Sequence, residues 1–222
     1  MDLTNKVVLI TGAASGLGAA TARWLAEFNM RVALLDFNLP QAETLAEELG
    51  GIAISADVTD SESIKIAVQK AVDHWGGIHV CVNCAGIATA ARIVAKEGPT
   101  PLEEFQKVIQ VNLVGTFNVM RHAAAQMIKQ PSQTDDGERG VIINTASIAA
   151  EEGQVGQAAY SASKGGVAAL TLPAAREFSQ FGIRVMAIAP GIVDTPMIAK
   201  MPQSVRESLA AAMPFPKRLA KP

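Results

Sequence analysis

The sequence predicts an α/β domain: a doubly wound parallel sheet with helices on both faces, in three layers. Three observations predict it. Short Val- and Ile-rich runs alternate with longer, alanine-rich amphipathic runs along the 222 residues, as strands alternate with crossover helices. A glycine-rich turn ends the first apolar run and opens the first helical one. The small and polar residues suited to chemistry fall just after apolar runs, on the carboxyl edge where open α/β sheets bind ligands. With 49% hydrophobic content the chain can bury one large core, so a single domain over residues 1–222 is expected.

The first unit is K-V-V-L-I-T-G-A-A-S-G-L-G-A-A-T-A-R-W-L-A. Its strand runs from Lys6 to Ile10 and its helix begins near Gly16. Gly12, Gly16 and Gly18 let the backbone approach a ligand at the helix N-terminus, where free N–H groups and the helix dipole suit a pyrophosphate. The second strand, R-V-A-L-L-D, ends in Asp36, about 20 residues past the turn, where a carboxylate can accept from an adenosine ribose. That carboxylate would repel a 2′-phosphate, and neither Ala14 nor Ser15 is basic to offset it. NAD is therefore expected over NADP.

The third strand, I-A-I-S-A, leads to Asp57 and Val58 beside the expected adenine, while Thr59 or Asp60 caps the next helix. The fourth delivers Asn83, Cys84, Ala85 and Gly86 to the same edge. Cys81 and Cys84 have a C-x-x-C spacing that suits a redox pair or half a zinc site. His74, His79 and His122 form no ligand pattern with them, so buried cysteines and no metal are expected.

Gly98, Pro99 and Pro101 interrupt a polar stretch before a long helix carrying Asn112, whose amide needs a partner, either in helix packing or in the site. The run P-S-Q-T-D-D-G-E-R-G reads as a surface loop. The strand V-I-I-N-T-A-S then delivers Ser147. Tyr160, the only tyrosine, lies four residues before Lys164 in an alanine-rich helical run, so both side chains emerge on one face. An ammonium near a phenol favours phenolate and would lower the tyrosine pKa, making a proton-exchanging pair. An ordinary exposed helix pair has the same spacing. Pro173 predicts a bend in that helix. A sixth strand, I-R-V-M-A-I-A, ends in Pro190, Val193 and Thr195. From about 194 to 216, Met197, Met201, Met213 and Phe215 form either a movable apolar lid or ordinary core.

Net charge is −2, from 19 basic and 21 acidic residues, without a basic block, so no nucleic-acid partner is expected. No apolar run reaches the roughly 18 residues of a membrane span, and the N-terminus lacks a signal-peptide pattern. A cytoplasmic protein is expected.

Together these residues make the chain resemble a short-chain dehydrogenase/reductase. T-G-A-A-S-G-L-G fits that family's T-G-x-x-x-G-x-G, and N-C-A-G at Asn83 fits its N-N-A-G with cysteine in second place. Asn112, Ser147, Tyr160 and Lys164 fall on its catalytic tetrad. V-N-C-A-G-I-A, R-G-V-I-I-N-T-A-S and P-F-P-x-R-L are similar to its type 2 3-hydroxyacyl-CoA dehydrogenases, also described as hydroxysteroid dehydrogenases. The resemblance implies a Rossmann-like strand order of 3-2-1-4-5-6. It implies cofactor contacts from Ser15, Leu17, Asp36, Asp57, Val58, Cys84, Tyr160, Lys164 and Val193, with Thr195 near the carboxamide. Gln157 would join Ser147 and Tyr160 on the substrate side. The implied substrate is a CoA thioester or a steroid, with Arg92, Lys96, Lys200, Lys217 and Arg218 as candidate partners for CoA phosphates; an acyl-carrier-protein reductase and a non-catalytic NAD-binding scaffold are the rivals. Such chains continue beyond the point matching Pro222 into another helix and a last strand, which build a tetramer interface. A homodimer through the helices bearing Asn112 and Tyr160, or a homotetramer, is expected.

Overall fold

The computed structural model describes residues Met1–Pro222. Its sheet strands are β1 (Val7–Thr11), β2 (Arg31–Asp36), β3 (Ile52–Ser55), β4 (Val80–Asn83), β7 (Gly140–Thr145) and β8 (Ile183–Ile188). They lie in the order β3-β2-β1-β4-β7-β8, every neighbouring pair parallel. Counted over the sheet strands alone, this is the expected 3-2-1-4-5-6 order. The two remaining strands, β5 (Val94–Ala95) and β6 (Gly98–Pro99), form a separate antiparallel hairpin in the stretch that the sequence showed only as polar and interrupted.

The strand sequences explain their positions. β1 lies between β2 and β4, and all five of its residues are buried, as its unbroken apolar run requires. Its side chains alternate between two cores. Val8 and Ile10 pack with Ala22 of α1 (Gly16–Glu27) and Leu45 of α2 (Leu39–Leu49). Leu9 packs on the opposite face with Ile64 of α3 (Ser61–Trp75) and Met120 of α5 (Gly115–Met127). The same alternation separates the cysteines. Cys81 belongs to the α3–α5 core and Cys84 packs against the α1–α2 core, so the C-x-x-C thiols are on opposite faces of the sheet and both are free. Burial pushes the Cys81 thiol up to about 12.

Crossover ends follow local chemistry. Asp60 caps α3 by accepting from the Glu62 N–H at 2.9 Å, and Gly76 ends that helix at φ +82°. Between α4 (Leu102–Ile109) and α5 the chain makes one π-helical turn, Gln110–Val114, which carries Asn112. The long helix α6 (Ala158–Ser179) contains Pro173 and remains helical on both sides of it. The proline removes one N–H without ending the helix, whose buried Val167 and Ala174 anchor both halves.

The outer edge of β8 carries no strand, and Met186 and Ile188 on it are 42% and 48% exposed. Two short helices follow, α7 (Pro196–Ala199) and α8 (Gln203–Ala212), and neither buries a residue. The methionine-rich segment is therefore not core. No helix is long and apolar enough to cross a membrane.

Candidate active site

The carboxyl ends of the strands converge on one crevice. At its centre is the glycine turn between β1 and α1, where the three glycines answer three different constraints. Gly12 has φ +64°, and a Cβ there would lie 2.8 Å from the Ala85 main chain. Gly18 faces the Gly12 backbone so closely that a Cβ would strike it. Gly16, at φ +54°, lies beneath Thr195, whose Cβ would be 3.5 Å from an added Cβ. Ser15 precedes α1 and makes no side-chain cap, and the first turn holds no acidic residue. The first N–H groups of α1, including those of Leu17 and Gly18, have no acceptor within the helix, and the helix dipole adds to their pull on an anion. The cradle fits a dinucleotide pyrophosphate, with only backbone to meet it.

Asp36 is buried at the end of β2 and fixes the edge of this turn. One carboxylate oxygen accepts from Ala14 N and the other from Asn38 N, each at 2.9 Å. Every oxygen keeps a lone pair for a ribose hydroxyl. Asp57 accepts from the Thr59 N–H and hydroxyl, at 2.8 and 2.7 Å, which fixes the loop beyond β3. The Val58 carbonyl receives Asn118 Nδ2 from α5 at 2.9 Å, and the Val58 side chain covers Gly115.

At the end of β4, Asn83 Nδ2 donates to Asn144 Oδ1 of β7 at 2.9 Å, while Asn83 Oδ1 is buried without a donor. Cys84 receives the Thr145 hydroxyl at 3.8 Å. Gly86 leaves room for the residues behind it: an added Cβ would lie 3.2 Å from Asn112 Oδ1 and 3.7 Å from Lys164 Nζ. Pro190 holds the far wall, its carbonyl accepting from Ile148 N at 3.1 Å. Val193 is buried and bridged to Ala220. Gln157 immediately precedes α6, and its Oε1 accepts from Gln154 N at 2.9 Å.

The four tetrad positions come together around the start of α6. Asn112 is fully buried; Oδ1 accepts from Ile87 N at 2.8 Å, and Nδ2 donates to Ile87 O at 2.9 Å and to Ser163 Oγ at 3.0 Å. Both amide hydrogens are thus committed to protein. Ser163 passes the link on by donating to Tyr160 O at 2.7 Å. Ser147 Oγ accepts from Ala149 N at 3.1 Å, which leaves its own O–H free to donate. Lys164 is buried, its Nζ 2.6 Å from the Thr145 carbonyl and 5.7 Å from the centroid of the Tyr160 ring.

A family model described as short chain dehydrogenase matches residues 6–206. The chain belongs to that family. It is 50% identical over 225 residues to the 3-hydroxyacyl-CoA dehydrogenase type-2 of Bos taurus, covering 100% of this chain and 86% of the relative. It is 39% identical over 227 residues to the 3-oxoacyl-[acyl-carrier-protein] reductase FabG of Thermotoga maritima, covering 100% of this chain and 87% of that one. The crystal structure of 3-hydroxyacyl-CoA dehydrogenase type-2 from Mycobacterium avium matches with a TM-score of 0.89 at 39% identity, over 98% of this chain and 84% of that one.

In this short-chain dehydrogenase, the electrostatics depart from one expectation. Burial raises the Tyr160 pKa above the ordinary 10.0, and the Ser147 hydroxyl offsets only part of that rise. The Lys164 ammonium, expected to lower it, is itself disfavoured by burial, which brings its pKa to about 8, against a smaller pull upward from Cys84. The phenol is therefore held as an acid in the unliganded enzyme. With one tyrosine in the chain, ultraviolet titration of phenolate reads Tyr160 without ambiguity. Its midpoint is expected above the ordinary value, and Ser147→Ala should move it higher still. A wild-type midpoint below that value would refute this account.

Ser163, Thr145 and Asn118 were not anticipated as supports of the site. Ser163 carried one usable signal: a serine three residues after the tyrosine on a helix can back-bond to that residue's carbonyl. The other two contacts join distant parts of the chain and leave no local pattern.

Proposed function

We propose that this dehydrogenase interconverts 3-hydroxyacyl-CoA and 3-oxoacyl-CoA thioesters, using NAD. The observation that carries the reaction is the placement of Tyr160 beside Ser147, with Lys164 enclosed behind the ring. Ser147 has a free O–H to donate to the substrate oxygen, fixing it next to the Tyr160 hydroxyl. In oxidation the phenolate form of Tyr160 would take the proton of the substrate alcohol. In reduction Tyr160 returns the proton to the oxygen of the ketone. Bound NAD supplies the hydride acceptor. Lys164 holds positive charge near the phenol, and Asn112, through Ser163, ties the π-helical turn to the start of α6.

The crevice fits NAD through the glycine cradle and Asp36, whose carboxylate stands where a 2′-phosphate would bring like charge. The identity with type-2 3-hydroxyacyl-CoA dehydrogenases supports the thioester substrate. Exposed Phe105, Val114 and Phe117 on the α4–α5 strip support a homodimer face there.

Acetoacetyl-CoA and NADH, followed by loss of NADH absorbance, test this reading. Turnover with NADH and little with NADPH is the expected result. Asp36→Ala should narrow that preference by about tenfold or more, which corresponds to about 1.4 kcal/mol of removed repulsion. A preference for NADPH would overturn the cofactor, and turnover of a steroid ketone but not the thioester would overturn the substrate.

A further inference from the structure

The loop between β3 and α3 runs beside Asp36. Ser55 is paired in register with Asp36, and Ala56 N donates to Asp36 O at 3.1 Å, so Asp57 and Val58 form the wall next to a ribose held by that carboxylate. The loop belongs to no strand or helix of its own, and what fixes it comes from α5, 60 residues further along the chain. We propose that Asn118 of α5, oriented by Arg121, is the positioning residue for this wall, and through it for the adenine end of the dinucleotide. The proposal rests on the NAD reading above.

Every hydrogen-bonding group of the Asn118 amide is committed. Asn118 is buried, and its Nδ2 donates to Val58 O at 2.9 Å and to Asp60 O at 3.2 Å. Asp60 O also accepts from Ile64 N of α3, at 3.1 Å, whereas Val58 O accepts from Asn118 alone. Arg121 decides which way the amide faces. Its Nε and one terminal nitrogen donate to Asn118 Oδ1 at 3.2 and 2.9 Å, and the same terminal nitrogen donates to Ser61 Oγ, at the first residue of α3, at 2.6 Å. A guanidinium only donates, so the amide oxygen must face it and the amide hydrogens must face the loop. Arg121 lies in no ion pair, and this fork is the whole of its bonding.

A second contact holds the same residue from the same helix. A Cβ on Gly115 would lie 2.7 Å from Val58 Cγ2, so α5 grips Val58 by its side chain at Gly115 and by its carbonyl at Asn118. Packing α3 against α5 would be served by an apolar side chain at 118. A buried amide held in one orientation by an arginine fork is instead suited to fixing the carbonyl that it faces.

The test is calorimetric titration with ADP-ribose, which carries the adenosine and pyrophosphate without the nicotinamide and so needs no turnover. Asn118→Asp keeps the size of the side chain and the Arg121 fork but turns an oxygen toward both carbonyls. Its Kd for ADP-ribose should rise about tenfold and KM for NADH should rise in step, while kcat at saturating NADH stays within about twofold. Arg121→Glu should produce a similar rise, because a carboxylate would draw the Asn118 amide hydrogens to itself. Arg121→Gln, which can still donate to Asn118 Oδ1, should keep Kd within about threefold. Arg121 is exposed, so this pair of variants reads the clamp even where Asn118→Asp is not recovered folded. An unchanged Kd in Asn118→Asp, or equal losses in Arg121→Gln and Arg121→Glu, overturns the clamp. If the unaltered protein does not bind ADP-ribose, the NAD reading fails; if it binds and these variants bind equally well, that reading stands and the clamp alone fails.

Discussion

Tyr160→Phe is expected to lower turnover in both directions by about 10³-fold or more, while the dissociation constant for NADH stays within about twofold. The substitution keeps the ring that packs in the site and deletes one atom, the hydroxyl oxygen. Binding of the dinucleotide depends on contacts elsewhere, at the glycine cradle and at Asp36, so it should survive. Ser147 cannot replace the lost group, because its oxygen already accepts from Ala149 N and its single proton is needed to hold the substrate. If Tyr160 and Lys164 were only a helix-surface pair, the variant would keep its activity. More than about a tenth of the original turnover in Tyr160→Phe would remove the tyrosine from the reaction. Cofactor binding lost together with turnover would instead show that the start of α6 had rearranged.

What the sequence made legible was whatever is local. The glycine turn and the carboxylate of Asp36 are fixed by a strand–turn–helix unit of some thirty residues, so their spacing alone placed them. The parallel sheet was legible because apolar runs buried on both faces suit one, and β1 shows this in each of its residues, whereas the strand order came from the family resemblance. The separation of Cys81 from Cys84 follows from strand alternation, since residues three apart on a strand face opposite ways. Enclosure was not legible. The direction of the Tyr160 pKa depends on how completely the ring and the ammonium are buried, a property of tertiary packing. The Asn112–Ser163 bond joins residues 51 apart, and its acceptor lies in a helix whose sequence gives no sign of the π-helical turn opposite. The β5–β6 hairpin is two residues on each side, too short for alternation to reveal. Pro173 leaves α6 unbroken, with Val167 and Ala174 buried on either side of it.

Lys164→Met should abolish measurable turnover and yet leave the unliganded protein as stable as before, or more stable, near neutral pH. Lys164 is 4% exposed, and its only hydrogen bond is to the Thr145 carbonyl. A folded-state pKa lowered from 10.5 to about 8 means that the fold disfavours the charged form. The difference corresponds to roughly 3 kcal/mol of unfavourable charge burial. Methionine removes that charge but leaves Thr145 O without its donor, which costs about 1–3 kcal/mol, so the net change is small or favourable. The pH dependence separates the two contributions. Above 10.5 lysine is neutral in both folded and unfolded chains, and its burial carries no charge penalty. As pH falls the unfolded chain gains its proton first, so stability drops until the folded pKa near 8 and is level below it. The orphaned carbonyl in the variant has no such dependence. Denaturant unfolding of the two proteins should therefore favour the methionine variant most below pH 8 and lose that advantage as pH rises toward 10.5. A difference independent of pH over that range would show that Lys164 is not held as a disfavoured cation. If the expected slope appears together with lost turnover, the buried ammonium destabilises the free protein and is retained for what it does to the phenol beside it.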